Sequence, residues 1–597
     1  MIVSLDWLKD FVKIDKSVDD LSDLLSSIGL ESEVIGVPSD VENVVVGKII
    51  DINKHPNADK LNICTVFDGV SKMQVVCGAN NVKINQLIAF AKIGSRLPNG
   101  FKIKKSKIRG IESFGMICSG KELGISDDHD GIIELSENYY AGEDFIKAYS
   151  DKNAMIEIDV TPNRPDAFSH IGVARDIASK TNRKFSVKIP PIKNLGKHNI
   201  DVDINVESFI DCPRYVCAVV KNIKVQKSPK WLRDRLKSIG QRSINNIVDI
   251  SNYVLMEMGQ PTHIFDFDKL VGDKISIRRA KKSEKMTSLD GIDRILNEDT
   301  LLITNNHQPI AVAGVVGGLQ ASVSKETTTI FIESAYFNPV TIRKSSRKLG
   351  LSTEASKRYE RGADPKITLQ AFWRIVDLLQ EVLNIEIVSD IYDIKTSDYE
   401  SSVITVRESH IEEVLGVKIP SDEVLRILSS LSFKIDKKKD YFECDPPSFR
   451  PDVDRDIDII EEIARIYGFD NIPADTRLYG KLPYGVIDPQ GYLNKIRFKL
   501  SGAGFYQVYS NSLLNEIEST QFNVEPIRML NPLSKDMAVL RTSLLPGLLK
   551  AADFNIKNGT HNFRLYEIGN IHALGDENTI RELFILSGIV YGIDSIN

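Results

Sequence analysis

The sequence predicts a multidomain α+β fold, and three observations lead to that prediction. The chain has 597 residues, which corresponds to roughly four domains at about 150 residues per domain. Hydrophobic residues make up 42% of the sequence, enough to fill several cores. Their spacing alternates along the chain between helical periodicity and the short apolar runs that are typical of strands.

Apolar spacing divides the first third of the chain into three parts. Residues 1–38 are predicted to be helical, because their apolar side chains fall on one helical stripe. Residues 39–148 are predicted to form a small β-barrel, because the runs VVVGKII, QVVCGA and LIAFAKIG are separated by Gly, Asn, Asp and Pro. Residues 149–200 return to mixed character, with a helix around His170 to Lys180 and a linker at PPIKN.

The rest of the chain is predicted to contain three further units. Residues 206–390 form an α+β unit with the Gly-rich segment AVAGVVGGLQASV. Residues 400–475 form a small helical unit that ends in an acidic helix. Residues 476–597 alternate between helices and strands.

Charge and cysteine usage exclude several classes of protein. The net charge is −6, from 76 basic and 82 acidic residues, so any nucleic-acid surface must be local. The six cysteines are scattered and contain no C-x-x-C pair, which indicates reduced thiols rather than a disulfide scaffold or a zinc site. The sequence has neither a secretory signal nor an apolar run of membrane-spanning length. We therefore expect a soluble, cytoplasmic protein.

A basic segment in the predicted barrel is a candidate nucleic-acid surface. In FKIKKSKIRG, residues 101–110, apolar side chains alternate with four lysines and an arginine. An open barrel of the oligonucleotide-binding kind offers such a strand to a phosphate backbone. Lysines also protect exposed sheet edges, so a solvated edge strand explains these charges equally well.

The stretch PPSFRPDVDRDIDIIEEIARIYGFDNIP, residues 446–473, predicts a helix with two distinct faces. Its isoleucines fall on one side, and on the other lie Asp454, Asp458, Glu461, Glu462 and Arg465. Asp452 precedes the helix in a turn that can fold toward the acidic side. Clustered carboxylates suit Mg²⁺. From these residues alone, a solvated acidic face is the better interpretation.

Three motifs mark the middle unit as a candidate binding site. GQPTHIFDFD surrounds His263, FIESAYF surrounds Glu333, and LSTEASKRYERGADP contains the small residues Thr353 and Ala355. Glu333 lies in an apolar strand, where a carboxylate needs a partner or a ligand to offset its burial. No motif of a catalytic nucleophile is present, and the Gly-rich segment at 314–318 lacks the Lys-Ser/Thr of a P-loop. These residues indicate a site for a polar ligand and nothing more specific.

Taken together, the motifs resemble one family. HPNADKL, VCGANNV and RGIESFGMICS are similar to the tRNA-binding module of several synthetases. Along the whole chain, the motifs occur in the order found in bacterial-type phenylalanine–tRNA ligase β subunits. These motifs are MIVSLDWLKDFV, HPNADKL, EIDVTPNRPDAFSHIGVARDIA, NYVLMEMGQPTHIFDFD, LSTEASKRYERG and the acidic helix. The resemblance covers essentially all 597 residues.

The resemblance implies a domain for each predicted unit. It implies an OB-fold tRNA-binding domain, an α+β editing domain, a small winged-helix-like domain and a degenerate class II synthetase domain with an antiparallel sheet. Arg564 and Glu567 in FRLYEIG match the second class II motif, but no third motif follows, so we expect a strand without that chemistry. The family continues into an anticodon-binding domain, whereas the printed sequence ends within the degenerate domain.

The resemblance also implies partners, cofactors and site residues. Family members pair with an α subunit in an (αβ)₂ heterotetramer that charges tRNA(Phe), with ATP bound mainly by the α subunit. Mg²⁺, shared with the α subunit, would be held by Asp452, Asp458, Glu461 and Glu462. The editing pocket would be formed, with Gly317 beside them, by Arg242, His263, Glu333, Thr353 and Ala355.

Physical chemistry explains why an editing pocket is needed. A phenylalanine site rejects a substrate that merely adds a hydroxyl by only about 10², so tyrosine is misloaded. A second site that hydrogen-bonds the phenol of tyrosine rejects phenylalanine by a factor of about 10⁴ or more. Glu333 is the expected acceptor of the tyrosine hydroxyl, while His263 and Arg242 orient the tRNA 3′ end and a water cleaves the ester. The alternatives are a free-standing Tyr-tRNA deacylase and a non-catalytic tRNA-binding scaffold.

Overall fold

The computed structural model describes residues 1–36, 41–125, 131–135, 139–188, 200–474, 480, 489–520, 524–575 and 579–592. The chain divides into two compact units, Met1–Ala474 and Asp475–Asn597. Both units contain helices and sheets, which confirms the predicted multidomain α+β architecture. No helix in the described parts of the chain is long and apolar enough to cross a membrane.

The N-terminal segment contains strands as well as the predicted helices. Its elements are β1 (Ile2–Ser4), α1 (Leu5–Leu8), α2 (Val18–Ser27) and β2 (Ser32–Ile35). Serine hydroxyls cap both helices: Ser4 accepts from the Trp7 amide at 3.3 Å and Ser17 from the Asp20 amide at 3.2 Å. The segment was predicted to be helical; its two strands were not predicted, because such short strands carry no detectable periodicity.

The next segment forms the predicted β-rich unit. Its elements are β3 (Glu42–Lys54), β4 (Asn62–Phe67), β5 (Lys72–Cys77), β6 (Leu87–Leu97), β7 (Phe101–Lys102), β8 (Ser106–Ile108), β9 (Ile111–Ser113), β10 (Gly115–Ile117), β11 (Glu134–Leu135) and α3 (Phe145–Asn153). The sheet order is β10-β6-β3-β4-β5, with β7 and β11 also paired to β6. The Phe114 amide donates to the Gln74 carbonyl of β5 at 2.9 Å, so the sheet curls back on itself.

The chain then returns to the N-terminal elements. Strand β12 (Met155–Ile158) lies between β1 and β2 in a three-stranded antiparallel sheet. Helix α4 (His170–Thr181) matches the helix predicted around His170 to Lys180. It begins at Ser169, whose hydroxyl accepts from the Gly172 amide at 2.9 Å, and it ends at Asn182 in a left-handed conformation.

The middle unit contains two five-stranded sheets and five helices. Its elements are β13 (Asp203–Val206), β14 (Arg214–Lys221), α5 (Lys230–Lys237), α6 (Asn246–Met258), β15 (Thr262–Asp266), β16 (Lys274–Arg279), β17 (Lys285–Thr287), β18 (Asp293–Ile295), β19 (Leu301–Asn305), β20 (Gln308–Val312), β21 (Val316–Gly317), β22 (Ile330–Tyr336), α7 (Pro339–Leu349), α8 (Glu354–Arg361), α9 (Thr368–Val382), β23 (Glu386–Ile387) and β24 (Tyr392–Lys395). One sheet has the order β13-β16-β19-β20-β21 and the other β15-β22-β14-β23, with β24 on β14.

Strand β14 is buried on both faces because its sheet lies between two layers. Tyr215, Cys217 and Val219 pack toward the other five-stranded sheet. Val216, Ala218 and Val220 join a separate core that includes α6, α9 and the N-terminal helices. Successive side chains of a strand point to opposite faces, so an unbroken apolar run is what such a strand requires.

The small unit that was predicted to be helical is instead mixed. Its elements are β25 (Ile404–Arg407), α10 (Glu408–Leu415), α11 (Ser421–Ser430), β26 (Lys434–Lys437), β27 (Tyr441–Asp445) and α12 (Asp456–Tyr467). The strands form an antiparallel sheet in the order β25-β27-β26. The isoleucine face of α12, with Ile459, Ile460, Ile463 and Ile466, is buried in the core of this unit as predicted.

The C-terminal unit contains a long antiparallel hairpin. Its elements are α13 (Pro489–Gly502), β28 (Tyr506–Gln507), β29 (Leu513–Leu514), α14 (Glu516–Thr520), β30 (Val539–Leu540), α15 (Leu545–Lys557), β31 (Phe563–Leu574) and β32 (Ile580–Tyr591). β31 and β32 pair from Phe563↔Tyr591 to Leu574↔Ile580, and β28 joins β31 in parallel. Short 3₁₀ turns occur at Pro98–Gly100, Pro165–Phe168, Phe267–Lys269, Phe469–Asn471 and Lys535–Met537.

Candidate functional site

A cavity of about 70 Å³ lies between the two sheets of the middle unit. It brings together four of the six residues predicted for the editing pocket: His263, Gly317, Glu333 and Ala355. The other lining residues come from β15, β19, β20, the Gly-rich segment and α8: Pro261, Thr262, Ile303, Ala311, Val312, Gly314, Val315, Val316 and Tyr359.

Strand register places the polar groups of the cavity in one row. On β22, Glu333 pairs with His263 of β15 on one side and with Cys217 of β14 on the other. Side chains directly opposite one another in an antiparallel pair share a face of the sheet. The row therefore faces the space between the sheets, where the cavity lies.

Glu333 is a buried carboxyl group that no cation neutralises within the described residues. Its side chain is 4% exposed, and Tyr215 of β14 donates a hydrogen bond to its Oε2 at 2.9 Å. Burial raises the pKa of Glu333 to about 8, although the bond from Tyr215 acts in the opposite direction. A carboxyl group with a pKa this high changes its protonation near neutral pH, which is common at functional sites.

His263 and Gly317 approach each other closely across the cavity. Burial lowers the pKa of His263 to about 4, so the imidazole is neutral at physiological pH. The ring packs edge-on against Phe265, with centroids 4.4 Å apart. A Cβ atom at Gly317 would lie 2.5 Å from His263 Cε1 and 2.7 Å from Nε2, so any side chain at this position would force the imidazole or the strand to move.

Helix α8 supplies one wall of the cavity through Ala355 and Tyr359. Thr353 caps this helix: its Oγ1 accepts from the Ser356 amide at 3.1 Å and donates to the Val315 carbonyl at 2.9 Å. The Tyr359 hydroxyl donates to the carbonyl of Ala335 at 2.8 Å. Thr353 is not a cavity-lining residue, and its hydroxyl fixes the helix to the Gly-rich segment.

Like Thr353, Arg242 does not line the cavity, although both were predicted pocket residues. Arg242 is exposed, in the loop between α5 and α6. The loop is held to α6 by Asp249, which accepts from the Ile244 amide at 2.8 Å and from the Ser243 hydroxyl.

The thiols nearest the cavity are poor nucleophiles. Burial, reinforced by Glu333, raises the pKa of Cys217 well above its usual value, and the same two causes act on Cys212. A thiol that stays protonated does not attack an ester. Neither cysteine lines the cavity, and both thiols favour the protonated form, so neither supports nucleophilic catalysis there.

The acidic helix α12 does not present its carboxylates together. Glu462 is 1% exposed and is bound by Arg450 at 2.6 Å and by Arg465 at 2.5 Å. Burial raises the pKa of Glu462, but Arg450 and Arg465 more than offset this and hold it well below its usual range. The prediction that Glu462 points outward with the other acids was wrong, because the periodicity of one helix cannot show Arg450, which precedes it, or Asp176 of α4, which binds Arg465.

The four carboxylates predicted for Mg²⁺ do not form one ligand set. Asp452 is bound by Arg450 through both carboxylate oxygens, at 2.9 and 2.7 Å. Asp458 caps its own helix by accepting from the Arg455 amide at 2.9 Å, and Glu461 is exposed. The described residues contain no group of three or more potential metal ligands. The oxygen donors suit Mg²⁺ chemically, but their arrangement in this chain does not fit it.

Two of the four carboxylates, Asp452 and Glu462, instead belong to a chain of alternating charges that is largely buried. Arg465 joins Glu462 to Asp176 of α4 at 2.8 Å, and Asp176 accepts from Arg164 at 2.7 Å. The complete sequence of contacts is Asp166–Arg164–Asp176–Arg465–Glu462–Arg450–Asp452. The chain of charges connects α4 to the small unit and gives these acids a structural role.

The basic segment at residues 101–110 is not a single strand. It contains β7 and β8, which are separated at residues 103–105 and pair with different neighbours, β6 and β9. Ile103 is buried, whereas Lys105 is exposed and contacts Glu112 at 2.9 Å. His55 of HPNADKL is buried, and its Nε2 lies 3.2 Å from the Ile108 carbonyl. The lysines are therefore divided: Lys102 lies in β7, Lys104 and Lys105 lie between the strands, and only Lys107 belongs to the β8–β9 hairpin, which is anchored beside His55.

In the C-terminal unit, the carboxylate of Glu567 and the side chain of Arg564 are both already hydrogen-bonded. Glu567 is buried and accepts from Arg541 at 2.6 Å and from the Ser510 hydroxyl at 2.6 Å. Arg564 donates to the Ala503 carbonyl at 2.8 Å. Glu567 is thus bound within its own unit, as expected for a strand with a structural role.

Family models match four segments of the chain. The tRNA binding domain matches residues 44–144 and the B3/4 domain 211–384. The tRNA synthetase B5 domain matches 404–469 and the phenylalanyl tRNA synthetase beta chain CLM domain 486–595. The cavity lies in the segment that matches the B3/4 domain.

Full-length comparisons decide the family. The chain is 40% identical to the phenylalanine–tRNA ligase β subunit of Fusobacterium nucleatum, over 98% of this chain and 75% of the relative. It is 41% identical to the corresponding subunit of Protochlamydia amoebophila, over 96% of this chain and 73% of the relative. The chain belongs to the phenylalanine–tRNA ligase β subunit family. It spans about three quarters of the length of these relatives.

Membership of the phenylalanine–tRNA ligase β subunit family confirms the predicted resemblance. The chain is a component of a ligase complex, which implies an α-subunit partner. Its segment 44–144 matches a tRNA-binding domain. This ligase family generally uses ATP and Mg²⁺. A free-standing hydrolase and a passive scaffold are therefore not favoured.

Proposed function

We propose that the cavity between the two sheets is a proofreading site that hydrolyses tyrosine esterified to tRNA(Phe). The observation that carries this proposal is Glu333, a buried carboxyl group that lines the cavity without a cation partner among the described residues. Burying such a group is unfavourable unless a ligand completes its hydrogen bonds. A tyrosine hydroxyl does so, and a phenylalanine ring does not.

The surrounding residues support this chemistry. Aliphatic side chains, including Ile303, Val312 and Val316, line the cavity and suit an aromatic ring. His263 is neutral, so one ring nitrogen can accept a proton from a water while the other donates. Since the nearby thiols remain protonated, we infer that water attacks the ester carbonyl and the tRNA 3′ oxygen leaves with a proton. Arg242, on the exposed loop, is proposed to contact the tRNA rather than the amino acid.

Further assignments rest on family membership. We propose that residues 44–144 form an OB-fold that contacts tRNA through Lys107 of the β8–β9 hairpin and the three lysines that precede it, Lys102, Lys104 and Lys105. We propose an (αβ)₂ heterotetramer in the cytoplasm, with adenylation at the α subunit.

The test compares Glu333 variants in the complete ligase complex. Purified complex is incubated with Tyr-tRNA(Phe), and the release of tyrosine is followed. Glu333→Ala is expected to lower the hydrolysis rate at least tenfold, because the phenol then loses its partner, while charging with phenylalanine is retained. Charging by the same preparation controls for folding. Unchanged hydrolysis of Tyr-tRNA(Phe) by Glu333→Ala would contradict the proposal.

A second measurement separates the alternatives. The lone chain is assayed for the same hydrolysis and for co-purification with an α subunit. A stable complex that charges tRNA and hydrolyses Tyr-tRNA(Phe) supports the proposal. Full hydrolysis by the lone chain with no α-subunit binding would support a free-standing deacylase, and charging with no hydrolysis would indicate a scaffold with an inactive pocket.

A further inference from the structure

We propose that Tyr215 is a specificity-determining residue that positions Glu333, an inference that rests on the proposed editing function. By occupying Oε2 of Glu333, the Tyr215 hydroxyl leaves a single carboxyl oxygen, Oε1, to hydrogen-bond a phenol in the cavity. Tyr215 itself does not line the cavity, so its effect on a ligand is exerted through Glu333.

The geometry of the two side chains supports this assignment. Tyr215 is fully buried, and its hydroxyl lies 2.9 Å from Glu333 Oε2. Among the described residues, Oε2 accepts this one hydrogen bond and Oε1 accepts none, although Glu333 is nine-tenths buried. A carboxyl oxygen that accepts no hydrogen bond and belongs to a cavity-lining residue is a binding position for a ligand hydroxyl.

The groups that face Glu333 carry no positive charge that could replace this positioning. They are Tyr215 and Cys217 on β14, Cys212 before it, His263 on β15 and Tyr359 on α8. The cysteines and tyrosines have pKa values raised by burial and by Glu333. Tyr359 directs its hydroxyl to the backbone carbonyls of Pro261 and Ala335 instead of Glu333. Tyr215 is therefore the one described side chain that orients the carboxyl group.

Losing the Tyr215 hydroxyl should have two measurable effects. The freed carboxyl group can rotate and bind water at either oxygen, so it discriminates less sharply between a phenol and a phenyl ring. The donated hydrogen bond also stabilises the ionised carboxylate, so its removal raises the pKa of Glu333 further. A residue with a merely structural role would change neither property.

The first experiment is Tyr215→Phe in the ligase complex, with hydrolysis of Tyr-tRNA(Phe) and Phe-tRNA(Phe) measured between pH 6 and 9. We expect the preference for the tyrosyl ester to fall about tenfold, equivalent to one hydrogen bond, and the midpoint of the pH profile to rise. Tyr253→Phe is the matched control, because it removes a buried hydroxyl that donates to another carboxylate, Glu257, outside the cavity. This control should retain the wild-type preference and profile.

The second experiment observes Glu333 directly, without any substrate. Its protonation in the full chain is titrated by infrared difference spectroscopy, with Glu333→Gln identifying the band. Tyr215→Phe should raise the midpoint, and an unchanged midpoint overturns the positioning role. A raised midpoint with unchanged ester preference overturns the specificity role. A wild-type complex that hydrolyses neither ester instead rejects the editing function, and with it the inference for Tyr215. Circular dichroism distinguishes these outcomes from misfolding.

Discussion

Arg465 of α12 donates a hydrogen bond to Asp176 of α4 at 2.8 Å, although 289 positions separate them in the sequence. Both side chains are buried, and Asp176 also accepts from Arg164. This contact is the one in the chain of charges that joins α4 to the small unit. It also explains why Glu462 and Arg465 of α12 are buried, whereas Glu461 remains exposed.

Asp176→Asn should strongly destabilise this junction. Removing one charge leaves Arg164 and Arg465 buried without full compensation, at a cost of about 3–5 kcal/mol. Thermal unfolding of the full chain measures the effect. The exposed pair Lys230–Asp234 is the control, and Lys230→Ala should change stability by less than about 1 kcal/mol. An equal loss of stability in the two variants would contradict a larger contribution from the buried charges.

Gly317→Ala should close the cavity. The new methyl group would lie 2.5 Å from His263 Cε1, so the ring must move toward Glu333 or β21 must withdraw. We expect at least a tenfold loss of Tyr-tRNA(Phe) hydrolysis with charging retained. Gly502→Ala is a suitable control, because nothing lies within 4 Å of its added atom. Normal hydrolysis by Gly317→Ala would place the reaction elsewhere.

Glu333 should make the protein less stable as pH rises. The unfolded carboxyl group ionises near its ordinary pKa of 4.5, whereas the buried one stays protonated up to about 8. The unfolded state therefore binds fewer protons in this interval, and stability falls with rising pH. Glu333→Gln should remove this pH dependence. At ~1.4 kcal/mol per pKa unit, the dependence amounts to up to a few kcal/mol in the free energy of unfolding. Melting temperatures at pH 5, 6.5 and 8 test this, and parallel curves for both proteins would refute it.

Thr353 should tolerate serine but not valine. Serine at position 353 keeps the hydroxyl that caps α8 and donates to the Val315 carbonyl. Valine keeps the shape of the threonine side chain but loses both hydrogen bonds. Thr353→Val should cost about 1–2 kcal/mol, and Thr353→Ser about 0.5 kcal/mol or less. Thermal unfolding measures both. A valine variant as stable as wild type would show that the cap is dispensable.

The sequence predicted the residues of the pocket more accurately than the arrangement of the carboxylates on the acidic helix. An acid in an apolar strand signals an unusual site, and Glu333 is indeed buried beside His263, Gly317 and Ala355. Tyr215 was missed, although strand alternation places it on the same face as Cys217 and hence near Glu333. Helical periodicity identified the isoleucine face of α12 correctly, because burial of an apolar stripe depends on one helix alone.

The misplaced acids of α12 depended on residues that no local pattern reveals. Arg450 lies just before the helix, but Asp176 comes from a different part of the chain. Likewise, the alternation in FKIKKSKIRG predicted one strand, and the structure breaks it where Ile103 turns into the core. Periodicity describes a single element, whereas these outcomes were decided by tertiary partners.

The two-sided burial of β14 and β22 restricts how this pocket can change during evolution. Inserting or deleting one residue in either strand would invert every side chain beyond that point and turn Glu333 or Tyr215 toward the helical layer. The amino acid recognised here can therefore be altered by replacing side chains in place, whereas changes in strand length would abolish recognition and folding together.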